Sequence, residues 1–202
     1  MQEKILEAFL YNNTLKFSEI EKKLSVRSNK LSYHLKNLIK QGILKKEHDT
    51  YILTKSAQPS IPYVSKKSPV MSVILVAIED PKHKNNIFLI EREKRPFKDK
   101  YGLPGGRLQL GESIHSATTR IAQKWHVNAT FKKVHAVNLE HVIQDDKTMH
   151  SFLLILVSAT TQDTIQYTDI KEQKHNIIES DYTLLTKHLK GEVQVEELIT
   201  QA

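Results

Sequence analysis

Apolar residues in the first third of the chain recur at the spacing of short amphipathic helices. Three such helices are predicted, around residues 5–10, 17–24 and 31–39, and the third has Leu31, Leu35 and Leu38 on one face. Gly42 follows as a residue that ends a helix. Residues 43–54 then alternate between apolar and polar on both sides of "HDT", which predicts a two-stranded hairpin.

The pattern changes beyond residue 69. A β-branched run at 70–78 predicts a buried strand, with further strands at 86–92, 131–143 and 151–160 and helices at 113–126 and 180–189. Residues 54–69 hold three prolines and four serines and show no helix or strand period, which indicates a linker. We therefore predict an α+β protein with a domain at 1–57, a linker at 58–68 and a domain at 69–202.

The composition limits the classes of protein to which the chain can belong. With 39% hydrophobic and 26% charged residues, the chain is typical of a folded globular protein. Because there are no cysteines, disulfides, cysteine-based zinc sites and thiol catalysis are excluded. No apolar run reaches the ~18 residues of a membrane helix, and the first residues do not resemble a signal peptide. We expect a cytoplasmic location and no membrane partner.

The positive charge lies in the first third of the chain. Residues 1–67 hold 13 Lys/Arg and 6 Asp/Glu, a balance of +7, whereas residues 68–202 hold 17 of each, a balance of zero. This asymmetry indicates either a polyanionic partner for the first third or a basic surface that is only solvated.

The order of elements before the linker resembles a winged helix-turn-helix domain. The segment "LSYHLKNLIKQGIL" is similar to the recognition helix and wing entry of ArsR-like regulators. The resemblance implies double-stranded DNA as partner and a homodimer that contacts two half-sites. The alternative is a domain that docks a protein or mediates dimerisation. The candidate DNA-binding residues are Arg27, Ser28, Asn29, Lys30, Ser32, Tyr33, Lys36, Lys45 and Lys46.

A glycine-rich stretch, "YGLPGGRLQLGES", lies before the helix predicted at 113–126. Its "LPGG" allows a tight backbone turn, and glycines followed by a helix N-terminus favour anion binding through backbone N–H groups.

Residues 106–128 align without a gap to the Nudix box. Gly106, Glu112 and Arg120 match it, but Ile121, Lys124 and Trp125 stand where the box has glutamates, and Val127 and Asn128 replace its last glycine and aliphatic residue. The resemblance implies a Nudix-type α/β/α sandwich at about 68–190. It also implies hydrolysis of diphosphate derivatives with Mg²⁺ or Mn²⁺. Without those carboxylates the metal lacks oxygen ligands, so we expect hydrolysis to be lost or very weak.

Binding of a phosphorylated ligand can persist without the metal. Lys124 can place a positive charge where the metal would lie, while Arg120 either contacts ligand or pairs with Glu112. Arg92 and Arg95 can bind phosphate, and Phe97 can stack on a base. The candidate ligand-binding residues are Arg92, Arg95, Phe97, Gly105, Gly106, Arg107, Glu112, Arg120 and Lys124. We assign no catalytic residue and no metal site.

Three functions remain open. The main prediction is a DNA-binding transcriptional regulator whose degenerate Nudix-like domain senses a nucleotide or diphosphate-linked metabolite, such as a nucleotide sugar, without efficient hydrolysis. The alternative is a Nudix-type hydrolase of nucleoside diphosphate derivatives that carries a nucleic-acid-binding module. It requires replacement carboxylates from elsewhere in the chain, such as Glu140, Glu172 or Glu179. The third is a non-enzymatic interaction protein. We expect no cofactor, and Mg²⁺ only if the protein is hydrolytic.

Overall fold

A computed structural model describes residues 1–9, 12, 14–57, 70–93 and 97–199. The chain divides into two compact units, Met1–Pro69 and Val70–Ala202. The predicted linker at 58–68 and the candidate ligand residue Arg95 lie outside the described residues. The domain bounds 1–57 and 69–202 stay predictions.

The N-terminal unit packs three helices against a small antiparallel sheet. Its elements are α1 (Gln2–Ala8), β1 (Thr14–Lys16), α2 (Phe17–Leu24), α3 (Ser28–Lys40), β2 (Leu44–Glu47) and β3 (Thr50–Leu53), with the strands in the order β1-β3-β2. The predicted leucine face of α3 is buried in the core of this unit. Gly42, two residues after the end of α3, has a φ of +71°, as predicted for the end of a helix, and β2 and β3 form the predicted hairpin.

The C-terminal unit contains eight described strands. They are β4 (Met71–Ile78), β5 (Asn86–Ile87), β6 (Ile90–Glu91), β7 (Tyr101–Gly102), β8 (Gly105–Arg107), β9 (Ala129–Gln144), β10 (Lys147–Thr161) and β11 (Thr168–Asp169). Four of them form a mixed sheet in the order β8-β4-β10-β9, in which β4 and β10 are parallel and the other neighbours are antiparallel. Two short pairs, β5 with β11 and β6 with β7, lie outside this sheet.

Strand β4 carries apolar residues without alternation because both faces of the sheet are covered. Ile74 and Val76 face the core under helix α4 (Ile114–Gln123). Leu75 and Ala77 face the other core, which helix α5 (Glu179–Thr183) and the π-helical turn Leu184–His188 extend. The structure therefore confirms a mixed α/β architecture with a sheet between two layers.

Two predicted elements differ from the structure. The strand predicted at 86–92 is split into β5 and β6, because residues 86–87 pair with β11 and residues 90–91 pair with β7. The helix predicted at 180–189 is five α-helical residues followed by a π-helical turn. No helix within the described ranges is long and apolar enough to cross a membrane.

Candidate functional site

The glycine turn of the C-terminal unit is packed tightly between the sheet and α4. Gly105 and Gly106 pair with Leu75 and Ile74 of β4. A Cβ on Gly106 would lie 2.9 Å from Cγ1 of Ile121, and a Cβ on Gly105 would lie 2.9 Å from Cδ2 of Leu75. A Cβ at either position would therefore displace a packed side chain, and the pairing with β4 fixes the turn on the sheet.

The two charged residues that match the Nudix box form an ion pair with each other. Arg120 donates from Nε to Oε1 of Glu112 (2.5 Å) and from Nη2 to Oε2 (2.7 Å). Its Nη2 also donates to the backbone oxygen of Arg107 (3.0 Å), and the N–H of Gln109 donates to Oε2 of Glu112 (3.0 Å). The bonds from Arg120 lower the pKa of Glu112, and the same bonds raise the pKa of Arg120. Both oxygens of Glu112 are thus occupied in bracing the loop between β8 and α4.

The three residues in place of glutamates offer a metal no oxygen. Ile121 is 2% exposed and lies in the core against Gly106. Lys124 is exposed, with Nζ 5.4 Å from the ring centre of Trp125. Among the described residues no group of three His, Asp or Glu is placed to hold a metal ion. The box therefore does not fit the Mg²⁺ that the Nudix resemblance implies.

A cavity of about 860 Å³ lies beside the glycine turn. Among the described residues its lining includes four basic side chains, Arg92, Lys98, Lys100 and Arg107, and no carboxylate. Lys100 also donates to the backbone oxygen of His175 (2.8 Å). We call this cavity the basic groove. Its other lining residues are Met71, Val73, Phe97, Gly105, Gly106, Val142, Ile143, Gln144, Met149, His150 and Phe152.

A smaller cavity of about 90 Å³ shares Val73, Arg92, Phe97 and Phe152 with the basic groove. It is lined in addition by two carboxyl groups, Glu140 of β9 and Asp181 of α5, and we call it the acidic cavity. Asp181 is 4% exposed and accepts the N–H of Leu103 at 2.7 Å. Glu140 makes no side-chain hydrogen bond to any other described residue. The basic groove therefore provides cations, and the acidic cavity provides carboxyl groups as hydrogen-bond acceptors.

The structure brings together only some of the predicted ligand residues. Arg92, Phe97, Gly105, Gly106 and Arg107 line the basic groove. Glu112, Arg120 and Lys124 do not line it. Of the candidate replacement carboxylates, Glu140 lines the acidic cavity, whereas Glu172 and Glu179 line neither of these two cavities. Sequence reasoning missed Lys98, Lys100, Phe152 and Asp181, although the charged run at 92–100 was a signal for the two lysines.

The predicted DNA-binding residues lie on two elements of the N-terminal unit, helix α3 with the residue before it and strand β2. Arg27, Ser28, Asn29, Lys30, Tyr33 and Lys36 are exposed at the start and along α3, and Ser32 is half-buried. On β2, Lys45 pairs with Glu47 at 2.6 Å and Lys46 lies 5.9 Å from the ring centre of Tyr51. The winged-helix resemblance and the DNA contacts stay predictions.

Comparisons with known proteins give matches among solved structures only. The chain is similar to a Nudix hydrolase from Nitrosomonas europaea (17% identity over 72% of this chain and 83% of that chain, TM-score 0.47). It is similar to a MutT Nudix hydrolase from Burkholderia pseudomallei (14%, 58% and 97%, 0.47) and to a UDP-X diphosphatase (15%, 83% and 80%, 0.43). No family model and no curated protein matches the chain.

These matches correct the main functional prediction. The prediction of a DNA-binding transcriptional regulator with a non-hydrolysing sensor domain is wrong, because the matched proteins are described as hydrolases and a diphosphatase. The alternative with a Nudix-type hydrolase is retained in its place. The homodimer and the cytoplasmic location stay predictions.

Replacement of Ile121 by the glutamate of the Nudix box will destabilise the fold rather than create a metal site. The side chain is enclosed between Gly106 and the sheet, so Ile121→Glu buries an unpaired carboxylate and lowers the free energy of unfolding by about 3 kcal/mol. Urea denaturation measures this loss. Gln123→Glu on the exposed face of α4 is the control, with a change within ~0.5 kcal/mol. A stable I121E protein with new Mg²⁺ affinity would contradict the assignment.

The Glu112–Arg120 pair will make stability depend on pH in the acid range. The pKa of Glu112 is lower in the folded state than in the unfolded chain, so its contribution is present above the unfolded pKa and is lost as pH falls through the folded one. Glu112→Gln will cost about 1 kcal/mol at neutral pH. The difference from wild type will vanish in acid. Equal denaturation midpoints of the two proteins at neutral pH would show that the pair stabilises nothing.

Proposed function

We propose that the C-terminal unit is a Nudix-type hydrolase of nucleoside diphosphate derivatives and that the N-terminal unit is an attached nucleic-acid-binding module. The observation that carries the proposal is the basic groove, whose four basic side chains are opposite in charge to a diphosphate group. The acidic cavity beside it places the carboxylate of Glu140 next to these cations.

The groove binds and orients the diphosphate through fixed charges. Arg92 and Arg107 lie next to the turn at Gly105 and Gly106, and Lys98 and Lys100 extend the positive lining. These cations stabilise the negative charge that develops on the phosphate oxygens when water attacks phosphorus. Because the Nudix box does not fit a metal ion, the proposed reaction uses none.

Glu140 is the carboxylate best placed to accept a proton from the attacking water. It borders the acidic cavity and a further cavity of about 410 Å³. In the proposed reaction the oxygen of water forms a new bond to phosphorus, and the bridging P–O bond breaks. Glu140 takes the proton and the leaving phosphate takes the electron pair, which gives two monophosphate products. Turnover is slow because the nucleophile is not activated by a metal ion.

The hydrolase proposal predicts slow release of nucleoside monophosphate from a panel that includes ADP-ribose and UDP-glucose. Glu140→Gln will lower kcat by about 100-fold with little change in KM, because it removes the proton acceptor and leaves the cations in place. Chelation with EDTA will leave the wild-type rate within about twofold. Chromatographic quantification of the products measures both effects.

Glu172→Gln is the matched control, since Glu172 is exposed and lines neither cavity. Wild-type kcat in E140Q, or the absence of monophosphate from every substrate of the panel, would reject the proposal.

The nucleic-acid module is proposed from the exposed side chains of α3. Asn29, Lys30, Tyr33 and Lys36 project from the surface opposite the buried leucines, and Tyr33 is 63% exposed. Short polar groups can meet base edges and lysines can meet phosphates. This unit also holds the whole excess charge of the sequence.

Double-stranded DNA binding by this module will weaken as salt rises. Lys30→Ala and Lys36→Ala will each reduce affinity for a short duplex and lower the slope of log K against log salt by about one, because each removes one phosphate contact. Fluorescence anisotropy across a salt series measures the slope. Lys4→Ala on α1 is the control, with an unchanged slope. Binding that is absent, or equally salt-dependent in all variants, would reject the DNA contact by α3.

A further inference from the structure

The carboxyl group of Asp181 is bonded to the glycine turn, 78 residues earlier in the chain. Its Oδ2 accepts the N–H of Leu103 at 2.7 Å. Leu103 is the first residue of "LPGG", and its side chain is fully buried. A buried backbone N–H without a partner is costly, so Asp181 supplies the acceptor that the turn needs at this point.

The neighbours of Asp181 hold the strand that leads into the turn. The N–H of Ile178 donates to the backbone oxygen of Tyr101 (2.9 Å), and Nζ of Lys100 donates to the backbone oxygen of His175 (2.8 Å). A Cβ on Gly102 would lie 2.8 Å from both Oδ2 of Asp181 and Cδ1 of Ile178. Hydrogen bonds to residues 175–181 and close packing against them therefore hold residues 100–103 in position.

The same carboxyl group borders the acidic cavity, where two other charged groups face it. Burial raises the pKa of Asp181 to about 7, the N–H of Leu103 lowers it, Glu140 raises it and Arg92 lowers it. The charge of Asp181 thus changes near neutral pH. When it is ionised, Arg92 is attracted both to Asp181 and to any anion in the basic groove.

We infer that Asp181 is a positioning residue that holds the glycine turn in place and whose charge decides how strongly Arg92 attracts an anionic ligand in the basic groove. The ligand part of this inference rests on the proposed function. When Asp181 is neutral, it does not compete with the ligand for Arg92. Ionised Asp181 competes for Arg92 and adds to the negative charge of Glu140, so a diphosphate derivative binds less tightly.

The test uses the affinity of the full chain for ADP-ribose, measured by calorimetry between about pH 6 and about pH 8. Each phosphate of this probe is a diester whose charge stays constant over that range. In wild type the dissociation constant will rise about tenfold with pH. In Asp181→Asn, which keeps an oxygen for the N–H of Leu103 but cannot ionise, it will stay constant within about twofold.

Two controls separate Asp181 from other causes of a pH effect. Asp163 accepts the N–H of Asn128 at 2.6 Å and lines neither cavity, so Asp163→Asn will keep the wild-type pH slope. His150 lines the basic groove, so the slope must survive in His150→Gln. A flat wild-type profile, or an unchanged slope in Asp181→Asn, would overturn the inference.

Hydrogen exchange of the Leu103 amide tests the positioning role without any ligand. The amide will be protected in wild type and in Asp181→Asn, and will exchange at least about tenfold faster in Asp181→Leu, which has no acceptor. Equal protection in Asp181→Leu would overturn the role. If wild type bound neither ADP-ribose nor UDP-glucose, the proposed function would fail. The exchange rate of the Leu103 amide would still test the positioning role of Asp181, because it needs no ligand.

Discussion

The contact between Gly106 and Ile121 is the constraint on which the candidate site depends. It allows helix α4 to pack against the strand that follows the glycine turn, because a Cβ at position 106 would meet the isoleucine side chain at 2.9 Å. Ile121 fills this contact with apolar carbon. The same isoleucine thus packs against the turn and leaves no carboxylate at the position where the Nudix box has one. Structure and chemistry are linked here because the same side chain cannot be both core and metal ligand.

The turn is held from three directions. The sheet holds it through the pairing of Gly105 and Gly106 with β4, and the Glu112–Arg120 pair braces the loop that follows. From the opposite layer, Asp181 accepts the N–H of Leu103. A turn fixed in this way can present basic side chains on either side of it without a large loss of entropy on binding, which is what a site without a metal ion requires.

Local patterns predicted the elements, and long-range contacts supplied the parts that were missed. The apolar run at 70–78 gave β4 because a strand covered on both faces needs no alternation. The strand predicted at 86–92 is broken because its two halves pair with different partners, which no local pattern records. The spacing of the Nudix box located Glu112 and Arg120 but left open whether they meet ligand or each other. No sequence pattern indicated Asp181, and Glu140 was only one of three candidate replacement carboxylates, because the neighbours of both residues at the site come from distant segments.

Fixed cations and a bound metal ion would act differently on a diphosphate. A divalent ion bridges phosphate oxygens and activates water, whereas guanidinium and ammonium groups bind the oxygens but leave water unactivated. In the proposed hydrolase the basic groove therefore favours binding over rapid turnover, and the role proposed for Glu140 replaces part of what a metal ion would contribute. Part of the groove lining is solvated, so salt will screen the lysines more than the partly enclosed Arg92. That difference makes Arg92 the cation whose competition with Asp181 has the greatest effect on the ligand.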